Sequence, residues 1–149
     1  MTATQENREI ESESRDIRVA IVEDHVRLRG VLEKLIRFSP GMVCVGVYKS
    51  GEDLLKAIPE VKPEIVSLDL SMPRMSGIDA IERIHQESPE IKCILFSGHS
   101  ERSYVEQCLA RGGAGYIVKG DSEEFLKGIR EVNAGRRYVS PRFAKLLEA

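Results

Sequence analysis

The chain has no long apolar run. Nothing in its 149 residues approaches the ~18 consecutive apolar residues of a membrane span. It has no apolar leader either. Met1 to Asp16 is polar and mostly acidic, with Glu6, Glu9, Glu11, Glu13 and Asp16, and Ile10 is its one large aliphatic residue after Met1. That composition argues against secretion. It predicts a disordered acidic leader over residues 1–16, because so little apolar surface cannot offset the entropy of ordering. An excess of one charge is also missing: 22 basic and 24 acidic side chains leave a formal net charge of −2, which makes no global case for nucleic-acid binding. The three cysteines, Cys44, Cys93 and Cys108, cannot all pair, and their spacing fits no metal motif. Cys44 and Cys93 lie in apolar strand-like runs and Cys108 on a helix-like face, so they read as reduced core residues of a cytoplasmic protein. No segment repeats at a fixed period.

What is present is a regular alternation. A hydrophobic fraction of 42% with 31% charged residues suits one soluble domain with a single core. From Ile17, strand-like runs alternate with helical ones. The strands are Ile17 to Val22, Met42 to Tyr48, Glu64 to Leu68, Ile91 to Phe96 and Ala114 to Val118. The helices follow apolar spacing of three and four: Leu28, Leu32, Leu35 and Ile36; then Leu54, Leu55 and Ile58, capped by Ser50 and ended near Pro59; then Ile78, Ile81 and Ile84; then Val105, Cys108 and Leu109; then Phe125, Ile129 and Val132, capped by Asp121 or Ser122. Five strands alternating with five helices predict parallel βαβ units with helices on both faces. Val43–Val47 and Ile91–Phe96 are almost continuously apolar, as strands covered on both faces should be. Residues 136–149 read as a separate appendage. Arg136 and Arg137 come first, Ser140-Pro141 starts a helix, and Phe143, Leu146 and Leu147 recur at helical spacing.

Polar residues cluster just past the strands. Glu23 and Asp24 follow the first, Asp69 the third, Ser97 the fourth and Lys119 the fifth. In a parallel sheet these ends share one edge, where open α/β folds place their chemistry. Three neighbouring carboxylates repel unless something neutralises them. A hard cation such as Mg²⁺ would do so, and it takes oxygen ligands. Beside it Asp69 becomes a plausible phosphoryl acceptor, with Lys119 and Ser97 able to contact phosphoryl oxygens. Each residue also has an ordinary reading: Glu23 and Asp24 as a solvated helix start, Asp69 as a loop acid, Ser97 as a cap, Lys119 as a surface lysine and Tyr116 as plain core. It is their convergence that favours chemistry.

The chain resembles the receiver domain of bacterial two-component response regulators, in the LuxR/FixJ-type (NarL-like) branch. The residues that carry the resemblance are Val22-Glu23-Asp24-His25, Asp69-Leu-Ser-Met-Pro73 with Gly77, Phe96-Ser97-Gly98, and Gly115-Tyr-Ile-Val-Lys119-Gly120. It covers residues 17–135. It implies a flavodoxin-like (βα)5 fold, a doubly wound five-stranded parallel sheet in order 2-1-3-4-5. It implies that Asp69 takes a phosphoryl group from a sensor histidine kinase. Mg²⁺ would be held by Asp24 and Asp69, by Glu23 through water and by the Ser71 carbonyl. Lys119 and Ser97 would hold the phosphoryl group, and Ser97 and Tyr116 would act as the switch. Ser71 and His99 would tune the lifetime of the phosphorylated state. The surface of the fourth helix, fifth strand and fifth helix, with Arg102, Tyr104 and Lys127, would then change and could form a homodimer. Such a protein accepts phosphoryl groups without turnover, apart from slow self-dephosphorylation. Members of the family usually place a proline after the lysine, with a cis bond between; here Gly120 takes its place.

Three other readings remain open. A haloacid-dehalogenase-type phosphatase also uses an Asp nucleophile and Mg²⁺, but needs a second acid where Ser71 stands. A flavin binder would need a phosphate loop where Glu23-Asp24 stands. A phosphorylation-independent interaction module is the third possibility. Residues 136–149 resemble the linker to a helix-turn-helix domain. No recognition helix is present, so this chain alone is not expected to read DNA. Either an output domain follows in a longer protein, which is the favoured reading, or this is a single-domain regulator.

Overall fold

The computed structural model describes residues 15–148. Most of the leader expected over residues 1–16 lies outside them. Strands and helices alternate: β1 (Ile17–Val22), α1 (Val26–Arg37), β2 (Met42–Tyr48), α2 (Gly51–Val61), β3 (Ile65–Leu68), α3 (Gly77–Glu87), β4 (Lys92–Ser97), α4 (Arg102–Ala110), β5 (Gly115–Val118), α5 (Ser122–Asn133) and β6 (Tyr138–Val139), followed by a 3-10 helix at Pro141–Leu147. The helix starts are made by local side chains. Ser50 accepts from the Asp53 N–H, Ser76 from the Asp79 N–H and Asp121 from the Glu123 N–H. Each satisfies one of the orphan donors of a first turn. His25 caps α1 through its ring nitrogen. Pro59 lies inside the last turn of α2, which runs two residues past it. So late in a helix the ring costs only one hydrogen bond.

One sheet holds all the strands, in the order β2-β1-β3-β4-β5-β6. The expected 2-1-3-4-5 arrangement is there, and every pairing is parallel. Side-chain alternation divides the core in two. Ala20, Val22, Val66, Leu68, Leu95 and Tyr116 face α2, α3 and α4, where Leu54, Ile81, Ile84, Val105 and Cys108 meet them. Val19, Ile21, Ile65, Ile94, Phe96 and Ile117 face α1 and α5, against Leu32, Ile36, Phe125 and Ile129. Phe125 is fully buried and packs on Phe96 at a 4.8 Å centroid distance. Burial of that kind is worth roughly 1.5–3 kcal/mol per large side chain.

Two expectations need correction. β2 is an edge strand, and within it Met42 alone is fully buried while Val43 is exposed. Its apolar run therefore does not mark burial on both faces. The described part of the segment expected to be a separate appendage, residues 136–148, is not separate either. Tyr138 and Val139 pair with Gly115 and Tyr116 as a sixth strand. The following turn is 3-10, with Phe143 buried and Leu146 and Leu147 against the core. The reason is the open edge of β5: its N–H and C=O groups need partners, and this segment supplies them.

Candidate functional site at the carboxyl edge of the sheet

The backbone ladder continues past the strand ends and carries the functional residues with it. The Asp69 N–H donates to the Val22 carbonyl at 3.1 Å, which sets Asp69 beside Glu23. The Lys119 N–H donates to the Ser97 carbonyl at 2.8 Å, which sets the lysine beside the serine. In this way Glu23, Asp24, Asp69, Ser97 and Lys119 are brought together, as the sequence suggested.

The acids form one cluster. Glu23, Asp24 and Asp69 each offer a carboxylate oxygen, and these oxygens lie within 4.8 Å of one another. Glu23 and Asp69 are buried, whereas Asp24 is exposed. At an effective dielectric of about 20, two unit charges at such a distance repel by roughly 3 kcal/mol, less for the exposed Asp24. Lys119 offsets part of this. Its Nζ lies 3.0 Å from Glu23 Oε1 and 3.3 Å from Asp69 Oδ1. Burial pushes the Glu23 carboxyl above its ordinary pKa; the His25 N–H, donating to Glu23 Oε2 at 3.1 Å, and Lys119 pull the other way. One lysine against three carboxylates leaves a net negative pocket of hard oxygen donors. That donor set fits Mg²⁺.

The remaining expected residues divide into two groups. Ser97 is fully buried, and its Oγ accepts from the His99 N–H at 3.0 Å. It does not cap α4, whose first residue follows Glu101 without a side-chain cap. Tyr116 is also fully buried, and its hydroxyl donates to the His99 carbonyl at 2.6 Å. Ser71 is exposed and His99 half-exposed, and Ser71 Oγ lies 3.0 Å from His99 Nε2. Arg102 and Tyr104 stand on α4 and Lys127 on α5; Arg102 and Lys127 are exposed and Tyr104 is half-buried. The Lys119–Gly120 bond is trans, as are all others among the described residues. Gly120 takes a φ of 150°, open to glycine without strain.

Sequence reasoning gave no contact at the site to three supporting residues. Arg29 Nη1 donates to the Glu23 carbonyl at 2.9 Å and holds the acid pair from α1. Gly77 packs so close to Asp69 that a Cβ there would stand 2.3 Å from its carbonyl oxygen. Phe143 lies edge-on to Tyr116, with centroids 6.4 Å apart. Gly77 alone left a trace in the sequence, as the glycine of the Asp69 loop. The Phe143 contact joins elements far apart in the chain, and the Arg29 contact, though only six residues from Glu23, depends on a side-chain rotamer; neither leaves a trace.

A parallel sheet with helices on both faces, and its acids and lysine at the carboxyl edge, defines a doubly wound α/β domain of the flavodoxin-like class. Within that class the chain belongs to the response regulator receiver domain family, whose sequence profile matches residues 19–130. It is a receiver domain of the two-component type. It is 35% identical over 132 residues to the response regulator GacA of Pseudomonas aeruginosa, covering 88% of this chain and 62% of that protein. It is 30% identical over 130 residues to the response regulator UvrY of Escherichia coli K12, covering 87% and 60%. The chain thus spans about three fifths of the length of these relatives. Among solved structures it resembles a LuxR-family two-component response regulator from Aurantimonas, with a TM-score of 0.83, 28% identity and coverage of 89% and 96%. It also resembles the receiver domain of a NarL response regulator from Mycobacterium tuberculosis, with a TM-score of 0.77, 26% identity and coverage of 81% and 98%.

Proposed function

We propose that this receiver accepts a phosphoryl group on Asp69 from the phosphohistidine of a sensor histidine kinase and so switches an output. The observation that carries this reading is the cluster of Glu23, Asp24 and Asp69 oxygens within 4.8 Å, bridged by Lys119. An Asp69 carboxylate oxygen attacks phosphorus, the P–O bond forms as the P–N bond breaks, and the kinase imidazole leaves with the bonding pair. Lys119 sits within 3.3 Å of the Asp69 carboxylate, in place to meet the charge of the incoming group. Ser97, one strand over, donates its hydroxyl to a phosphoryl oxygen. Asp24 and Asp69, with Glu23 through water and the Ser71 carbonyl, would hold Mg²⁺, which would supply charge neutralisation and a template for the phosphate oxygens.

The phosphoryl group adds about −1.5 to −2 charges at this edge. The change passes through Ser97 and Tyr116 to the face of α4, β5 and α5, where Arg102, Tyr104 and Lys127 are available for a homodimer or another partner. Residues 17–135 are the receiver, and residues 136–149 lead towards an output. Two relatives bear on that output: GacA is named a response regulator, and DegU of Brevibacillus brevis a transcriptional regulatory protein. Control of transcription through a helix-turn-helix domain, with no DNA contact by this chain, is the output that fits. No described helix is long and apolar enough to cross a membrane.

The test is incubation with Mg²⁺ and a small phosphodonor such as acetyl phosphate, followed by intact-mass measurement. The wild type is expected to gain one phosphoryl group, and Asp69→Asn none. No gain on the wild type, or an equal gain on the variant, refutes the proposal.

A further inference from the structure

Tyr116 is held from three sides, and only one of them belongs to the phosphoryl site. Its hydroxyl donates to the His99 carbonyl at 2.6 Å. The N–H of the same His99 donates to Ser97 Oγ at 3.0 Å, so one short backbone stretch ties the tyrosine to the serine. Below, its own carbonyl accepts from the Ser140 N–H at 2.9 Å. Its ring meets the edge of Phe143 at a 6.4 Å centroid distance and an interplanar angle of 77°. The last two partners belong to the C-terminal segment, Tyr138 to Leu147.

That segment is fastened to the β5–α5 side by a specific set of bonds. The Tyr138 N–H donates to the Ala114 carbonyl at 3.1 Å. Ser140 Oγ accepts from the Val118 N–H at 2.9 Å and donates to Glu124 Oε1 at 2.7 Å. Val139, Ser140 and Phe143 are buried. Leu146 packs beside Leu109, Ala110 and Arg137 next to α4. The segment therefore covers the β5 edge of the very face through which the switch acts.

We propose that this C-terminal segment is the receiver's built-in readout, an intramolecular occupant of the α4–β5–α5 face whose docking is set by Tyr116. The inference rests on the phosphoacceptor reading of Asp69. A phosphoryl group that engages the Ser97 hydroxyl fixes Ser97. Ser97 Oγ then holds the His99 backbone, and the His99 carbonyl keeps the Tyr116 ring inward beneath Phe143. Without it the 97–99 stretch has one anchor fewer, and any outward turn of Tyr116 removes the ring on which Phe143 rests. Phosphorylation thus tightens the segment. This is a population shift carried by packed groups with two arrangements.

The test is amide hydrogen exchange of peptides covering 138–147, read on the full chain with Mg²⁺ and acetyl phosphate. Phosphoryl occupancy is measured on the intact protein in parallel. Exchange in the segment is expected to slow about tenfold in the phosphorylated fraction, a difference of about 1.4 kcal/mol in opening free energy. Phe143→Leu, which keeps an apolar side chain, is expected to take up the phosphoryl group normally and lose the slowing. Tyr116→Phe keeps the ring and loses the hydroxyl; its phosphorylated fraction is expected to show the segment docked but no longer responsive. Full occupancy with unchanged or faster exchange overturns the inference and leaves the phosphoacceptor reading standing. So does a full response in Tyr116→Phe. Absence of any mass gain overturns both.

Discussion

Ser71 Oγ and His99 Nε2 stand 3.0 Å apart, joining the loop after β3 to the loop after β4. The imidazole is further placed by the edge of Tyr104, at a 5.3 Å centroid distance, and by Glu101, whose Oε2 lies 3.7 Å from Nδ1. The bridge links the loop that follows Asp69 to the loop that follows Ser97, and under the proposed phosphoacceptor role of Asp69 it would stand in the way of water. His99→Ala and Ser71→Ala are each expected to shorten the lifetime of the phosphorylated state several-fold. Both remove the same contact, so the double variant should add little to either single one. Decay of the phosphorylated mass after removal of the donor measures this; an unchanged or longer lifetime would count against the bridge as a water barrier.

Asp69→Asn removes one of three mutually repelling carboxylates and leaves Lys119 its contact with Glu23. In metal-free buffer the variant is expected to be more stable than the wild type by about 1 kcal/mol, or about 3 °C in Tm. Thermal unfolding in chelator gives the comparison, and a lower Tm for the variant would show that the repulsion is already relieved.

Mg²⁺ is expected to stabilise the wild type by mass action, by about 2.7 kcal/mol when present at a hundredfold excess over its Kd. Asp24→Ala should abolish most of that gain while changing metal-free stability little, because Asp24 is exposed. Equal Mg²⁺ stabilisation of both proteins would remove Asp24 from the ligand set.

Gly77→Ala places a methyl group 2.3 Å from the Asp69 carbonyl oxygen and 2.6 Å from Leu95 Cδ2. Neither the backbone at Asp69 nor the packed core can give way without cost. A loss of roughly 1–3 kcal/mol in stability is expected, together with slower phosphoryl uptake because Asp69 must shift. Denaturant unfolding and mass gain over time report the two effects separately, and normal uptake would show that the loop relaxes away from Asp69.

The thiols differ in access. Burial pushes the Cys108 thiol up to about 12 and the Cys93 thiol higher still, so both remain protonated at mildly alkaline pH. Cys44 on the edge strand is half-exposed, with its pKa raised less. A thiol reagent should label Cys44 on the native protein and reach the other two only after unfolding. Labelling of all three at one rate would mean that the core opens readily.

Much of this was legible in the sequence because it is periodic or local. Apolar runs marked the strands and apolar spacings of three to four the helices, and Ser50 and Asp121 marked helix starts by a bond to the next turn. The candidate site was legible because a parallel sheet lines up its strand ends, so Glu23, Asp24, Asp69, Ser97 and Lys119 needed only strand assignment to converge. Edge position was not legible. β2 and β4 are both apolar, yet β4 is covered on both faces and β2 is not.

Taken by itself, then, the chain determined its first five strands and five helices, their parallel alternation and the identity of the acids, but not the sixth strand or the 3-10 turn. The tertiary structure alone decided which contacts those residues make. Lys119 reaches Glu23 across 96 positions of sequence. Ser140 closes the β5 edge, and Phe143 rests on Tyr116. The physical reason is that periodicity encodes which face of an element is apolar, whereas a contact between two elements depends on how all the others have packed.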